Sequence, residues 1–296
     1  MPVQPVVLAG AVMDLAVPAR RGMPGVSVAG FRGRAGETVA LQMIPYPALT
    51  VFVDFGDALV VDGVSGERTG GPLVVGLPRG ALRGSGRAVD LLQIRLSPVV
   101  AHAVLGAGAE LDGMVVGLGE LWGGDAVRIQ ERLRAARSWD ARFAIAHDAL
   151  ARRLATGPQV DPEVEFVWRR LTHSRGSARI EPLAAEIGWS RQRLWSRFRA
   201  QIGITPKQSA RLVRFDHVAH RLAAGHRPAR VAAETGFVDQ SHLHRDIVDF
   251  AGMTTSAVAA APWLSVDHIA WPRMMPAPRR PGAGTAVDYR RSATVR

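Results

Sequence analysis

The 296-residue sequence predicts an α+β chain: a β-rich N-terminal domain with a helical subdomain, then an all-α domain of two tandem helix-turn-helix units. Three observations predict it. Apolar runs between residues 38 and 96 are short and punctuated by Gly, Pro and Asp, as strands are. After Pro98 the apolar residues fall at helical spacing. The segment Ala184-Ala185-Glu186-Ile187-Gly188-Trp189 also returns 48 residues later as Ala232-Ala233-Glu234-Thr235-Gly236-Phe237, which marks one supersecondary unit used twice.

In chain order, strands are expected over Thr38 to Ile44, Leu49 to Phe55, Ala58 to Asp62, Leu73 to Leu77 and Val89 to Leu96. Helices are expected from Pro98 to Leu105, Ala126 to Ala136 and Asp140 to Leu154. A linker around Thr156 to Pro162 closes the first domain, giving boundaries of 1–156 and 157–261. Asp54 and Asp57 flank Phe55-Gly56 and read as a turn with exposed acids, with a carboxylate pair as the less favoured role. Trp122 and Trp139 read as core or interface packing, with an effector pocket as the less favoured role, and His102 and His147 as packed or surface histidines.

In each repeat a short helix ends at a glycine able to adopt the left-handed conformation that closes a helix. Ser190 and Asp239 follow as N-caps, because their oxygens can accept unpaired N–H groups of the next first turn. Leu194, Phe198 and Ile202 give one second helix its buried face, and Leu243, Ile247 and Ala251 give the other theirs. Pro206 to Ala224 should form one connecting helix of about 28 Å, at ~1.5 Å per residue. Such a strut can hold two second helices roughly 34 Å apart, one turn of a DNA duplex.

These residues resemble the AraC family of transcriptional regulators over about 165 to 261. The most specific stretch is Gly236-Phe237-Val238-Asp239-Gln240-Ser241-His242-Leu243-His244-Arg245-Asp246. Two positions depart from the family pattern: Ile247 where an aromatic residue is usual, and Thr255 where proline generally follows Thr254. The segments Leu96 to Gly106, Leu118 to Gly123 and Trp139 to Phe143 resemble, more loosely, the N-terminal domain of actinobacterial AraC-type regulators. The resemblance implies base contacts by Gln192, Trp195, Ser196, Gln240, Ser241, His244 and Arg245. Gln240 suits adenine and Arg245 guanine, because each can pair bidentately with that base. Arg191, Arg193, Arg199, Lys207, Arg211 and Arg214 are assigned to phosphates, which position without specifying sequence. It further implies double-stranded DNA as partner, RNA polymerase and a small-molecule effector as others, a homodimer, and activation ahead of repression.

The charge distribution agrees. The formal net charge is +11, and residues 175 to 214 alone hold 9 basic groups against 2 acidic, the footprint expected of phosphate neutralisation. The absence of cysteine excludes disulfides and thiol chemistry. With no histidine in residues 1 to 101, a metal site in the β-rich layer lacks its ligands, and neither a nucleophile elbow nor a phosphate loop occurs, so neither enzyme, metal nor cofactor is expected. No run of 18 apolar residues is present, so the chain reads as a cytoplasmic, nucleoid-associated protein without a membrane segment. From Pro262 onward Pro and Arg dominate and a disordered tail, 262–296, is expected. The alternative reading is a small-molecule-binding protein or enzyme that uses the basic half as a DNA tether; a nonspecific architectural DNA binder is a further rival.

Overall fold

A computed structural model describes residues 3–8, 10–19, 22–56, 59–62, 68–77, 82–106, 110–111 and 113–271, with backbone alone for 34–41, 59–62 and 68–70. The N-terminal strands are β1 (Val3–Leu8), β2 (Ala11–Ala16), β3 (Val26–Met43), β4 (Leu49–Asp54), β5 (Leu59–Asp62), β6 (Arg68–Gly70), β7 (Leu73–Val75), β8 (Leu82–Leu96) and β9 (Val115–Gly117). They form one antiparallel sheet in the order β1-β2-β3-β8-β4-β7-β9, with β5 on the first half of β8 and β6 beside β5. The register of β3 against β8 slips between Arg34 and Val39, where a bulge lets the two longest strands bend.

Both faces of this sheet are covered, which explains why β4 is buried along its whole length. Val51 and Val53 face one core, and Phe52 between them faces another. The first core receives α1 (Pro98–Leu105), α2 (Leu118–Trp122), α3 (Gly124–Ala135) and α4 (Trp139–Thr156). Trp122 and Trp139 are buried there; Trp122 Nε1 donates to the Val104 carbonyl at 3.1 Å and Trp139 stacks on Phe143. Core packing is therefore the role of both tryptophans.

The C-terminal half comprises α5 (Pro162–His173), α6 (Ile180–Glu186), α7 (Arg191–Ile202), α8 (Pro206–Ala223), α9 (Pro228–Glu234), α10 (Gln240–Ala251), α11 (Thr255–Ala259) and α12 (Pro262–Ala270). The connecting helix α8 begins with a reciprocal cap: Thr205 Oγ1 accepts from Gln208 N–H at 3.2 Å, and Gln208 Oε1 accepts from Thr205 N–H at 2.9 Å. Gly176, at φ +76°, brings the α5–α6 turn so close to α8 that a Cβ there would lie 2.1 Å from the Ala210 carbonyl oxygen.

Three expectations change. Strands begin at Val3, not Thr38, and the first halves of β3 and β8 lengthen the runs expected at 38–44 and 89–96. Asp54 is buried at the end of β4 and so is no exposed turn acid, while its neighbour in that reading, Asp57, lies outside the described residues. The segment from Pro262 is a helix: proline occupies the first helical position, where its missing N–H is harmless, and Val266, Ala270 and Trp271 bury against the second face of the sheet. The remainder of the expected tail, 272–296, lies outside the described residues.

Candidate nucleic-acid interface

The two repeats fold alike to the level of single hydrogen bonds. Trp189 N–H donates to the Ala184 carbonyl at 3.0 Å, and its counterpart Phe237 donates to Ala232 at 3.1 Å. Between them Gly188 and Gly236 take φ of +68° and +79°, where a side chain would be strained. Ser190 Oγ then accepts from Arg193 N–H at 3.2 Å, and Asp239 Oδ1 from His242 N–H at 2.7 Å, so both caps form as expected. Leu194, Phe198 and Ile202 on α7 and Leu243, Ile247 and Ala251 on α10 are all buried. The opposite faces of both helices are exposed.

On α7 that face presents Gln192, Trp195 and Ser196, with the indole 41% exposed. On α10 it presents Gln240, Ser241, His244 and Arg245, which together line one open concavity with the loop after α8 and the start of α11. His244 Nδ1 lies 2.9 Å from Thr255 Oγ1, so one ring nitrogen is engaged and Nε2 remains for a ligand. This gives Thr255 a purpose at the position where the family pattern has proline: its hydroxyl ties α11 to the exposed helix, while Thr254 caps α11 through Ala257 N–H at 3.2 Å.

The six basic residues assigned to phosphates divide. Arg193, Arg199 and Lys207 are exposed, and Arg193 leans over the Trp189 ring at 4.5 Å. Arg191 is exposed but also pairs with Glu181 at 3.3 Å. Arg211 is held by Asp246 at 2.6 Å and Asp249 at 2.8 Å, which clamps α8 to α10, and Arg214 is half-buried with its guanidinium 5.5 Å from the Phe237 ring. Both thus lie against the second unit. Two residues escaped the sequence reading. Arg197 makes a bidentate pair with Asp161, at 2.8 Å twice, and fixes α7 to the start of α5; Val238, the extra residue of the second repeat, is 87% exposed beside Gln240.

The N-terminal half grips both units. Its first core runs on through α5 to Leu183, Leu194 and Phe198. Ile44 and Tyr46 enter the core of the second unit, and Gln42 Nε2 donates to the Ala251 carbonyl at 2.8 Å. A buried polar cluster completes the seam. The Arg95 guanidinium from β8 lies 3.5 Å from the Tyr46 ring centroid and 4.2 Å from that of Trp271. It reaches Asp267 of α12 at 3.3 Å. Asp267 also accepts from His220 Nε2 of α8 at 3.0 Å, while His220 Nδ1 lies 2.8 Å from the Asp216 carbonyl.

Both ring nitrogens of His220 face acceptors, which requires the imidazolium. Burial opposes its charge, but the hydrogen bond to Asp267 and the carboxylates of Asp216 and Asp267 outweigh it and raise its pKa to about 9. Burial lifts the Asp216 carboxyl to about 6 against the pull of His220. Nearby His217 stays neutral, lowered to about 4 by burial and then by Arg175 and Arg221. Because the folded pKa of His220 exceeds its ordinary 6.5, the stabilisation is complete below about 6.5 and is lost as pH rises through about 9. The melting temperature should therefore fall from pH 7 to pH 10, by roughly 2–4 °C per kcal/mol lost, and the fall should flatten in His220→Gln. Equal slopes in both proteins would show that His220 does not carry this dependence.

Two glycine-closed helix pairs on one rigid helix, each with a capped and exposed polar face, define a tandem helix-turn-helix module. Residues 183–261 match a family model described as a helix-turn-helix domain. An uncharacterized HTH-type transcriptional regulator, YbfI of Bacillus subtilis (strain 168), is 34% identical over 91 residues, covering 30% of this chain. The match spans only a third of that relative's length, 33%. Among solved structures, ToxT from Vibrio cholerae O395 aligns with a TM-score of 0.46 at 11% identity, over 81% of this chain and 98% of that one. The AraC-like transcriptional activator CuxR aligns at 0.24 and 17% identity, over 65% and 82%. Neither likeness is close enough to carry a functional conclusion. Residues 183–261 therefore form a helix-turn-helix domain, similar over this span to that of a transcriptional regulator.

Among the described residues no single helix is long and apolar enough to cross a membrane.

Proposed function

We propose that the chain is a sequence-specific, non-enzymatic regulator of transcription whose helices α7 and α10 enter successive major grooves of one duplex. The observation that carries it is the duplicated, capped and exposed polar face on two helices that both pack against α8. Gln192 and Ser196 on α7, and Gln240, Ser241, His244 and Arg245 on α10, are the hydrogen-bonding readers, with Trp195 and Val238 as apolar contacts for thymine methyl groups. Arg191, Arg193, Arg199 and Lys207 take phosphates, whereas Arg211 and Arg214 hold α10 in place for reading.

The N-terminal half serves as the regulatory half. It senses a small molecule in the cavity of its sheet or pairs two copies of the chain, and it acts on DNA binding through the seam of Arg95, Asp267 and His220. A ligand can shift the arrangement of the two units only by favouring one state of that seam over another. Activation through contact with RNA polymerase fits the AraC family better than repression.

Selection of bound sequences from a random duplex pool, followed by affinity measurements at matched salt, tests the reading. The selected site should bind about 10³-fold or more tightly than random duplex. Equal affinities would replace this reading with that of a nonspecific architectural binder, and turnover or ligand capture without any DNA preference would favour an enzyme or binding protein with a basic tether.

A further inference from the structure

We propose that the cavity enclosed by the N-terminal sheet and α12 binds an apolar molecule that ends in a neutral hydrogen-bond acceptor, a ketone or ester carbonyl. The inference rests on the sensing role given above to the N-terminal half. The cavity is partly open to solvent, and its apolar wall includes Met13, Met43, Phe52, Leu73 and Leu91. One wall comes from the far end of the chain, where Trp263 of α12 packs edge-on to Phe31 with ring centroids 5.9 Å apart.

Three polar atoms in the lining carry the argument. Tyr46 Oη, Arg95 Nε and Trp263 Nε1 are each buried without a well-formed hydrogen bond, the Tyr46 hydroxyl lying near Asp267. They arrive from three separate elements: the loop after β3, strand β8 and helix α12. Buried polar groups are nearly always satisfied, so three orphans around one cavity indicate a missing partner. An arginine Nε–H and an indole N–H only donate, and burial, then the charge of Asp267, hold the Tyr46 phenol well above its usual pKa, so it keeps its proton. What is missing is an acceptor.

Charge selects which acceptor. The cations Arg95 and His220 are already faced by the carboxylates of Asp216 and Asp267, and the Asp54 carboxyl also lines the cavity. A carboxylate-ended ligand would bring an uncompensated negative charge into this buried site, whereas a carbonyl adds none. The same geometry links the cavity to DNA binding. Trp263 and Asp267 lie one turn apart on α12, so a carbonyl held by Trp263 and Arg95 would tighten α12 against the sheet and, through Asp267 and His220, against α8.

The test uses the full chain and three probes of equal length: 2-nonanone, nonanoate and nonane, followed by calorimetric titration and thermal shift. The ketone should bind saturably and raise the melting temperature, with nonane and nonanoate about ten-fold weaker or more. Tyr46→Phe and Trp263→Phe keep the wall but remove one donor each, and each should weaken the ketone about 5–10-fold without changing nonane. Equal binding of ketone and nonane, tighter binding of nonanoate, insensitivity of the ketone to both variants, or no saturable binding by any probe would overturn the proposal. Measuring operator affinity in the same titration keeps the two readings apart: ketone binding that leaves operator affinity unchanged supports the cavity's ligand chemistry while removing its regulatory role.

Discussion

Asp267→Ala should lower the stability of the chain by roughly 3–5 kcal/mol, because it leaves two cations in a dry seam with their shared partner gone. Arg95 and Asp267 are both almost fully buried, at 5% and 2% side-chain exposure, and His220 is little more open. Neither cation can turn to water instead. Urea unfolding followed by circular dichroism would measure the loss, and the double change Arg95→Met with Asp267→Leu should recover part of it, since an apolar pair of similar volume spares the desolvation of charge. A loss below about 1 kcal/mol, the range of exposed pairs, would show that the seam is hydrated and does not hold α12.

Arg245→Ala should weaken binding to the selected operator by 1–3 kcal/mol, roughly 5–150-fold, and remove sequence preference in one half of the site only. The residue is exposed on α10 beside Gln240 and lines the concavity that the base-reading candidates share. Arg211→Ala makes the informative contrast. Its guanidinium is engaged by Asp246 and Asp249, so its loss should loosen α10 and blur preference across the whole second half-site while scarcely altering the salt slope that counts phosphate contacts. Competition assays against variant operators distinguish the two outcomes. A uniform loss across all sequences for Arg245→Ala would reassign that residue to the backbone.

The helix-turn-helix half was legible because its determinants are local. A glycine, a cap two or three residues later and three apolar positions at helical spacing lie within about sixteen residues of each other, twice over, and each formed where expected. The N-terminal strands were less legible. β1 and β2 contain only six residues each, and β3 and β8 are interrupted by glycines such as Gly30, Gly33, Gly84 and Gly86, so alternation is obscured where the strands bend or admit a neighbour. Gly30 shows the reason: a Cβ there would meet the Trp139 ring at 2.4 Å, so the small residue is set by a contact 109 positions away.

Helix α12 was hidden by averaging. Leu264, Val266 and Ala270 follow Pro262 with apolar spacing fit for a helix, but the Pro- and Arg-rich segment beyond outweighs them when 262–296 is read as one composition. The phosphate assignments show the same limit from the other side. Nothing within the sequence of α8 marks Arg211 as a brace, because its partners lie 35 and 38 residues further on. Pairings across such distances, like that of Arg95 with Asp267 over 172 residues, become visible only once the chain is folded.

Hydroxyl-radical footprinting of the full chain on its selected operator tests the central claim most directly. Two protected blocks on one face of the duplex, about 10 base pairs apart from centre to centre, are the result predicted for α7 and α10 seated in successive major grooves along α8. A single protected block, or two blocks on opposite faces, would contradict it.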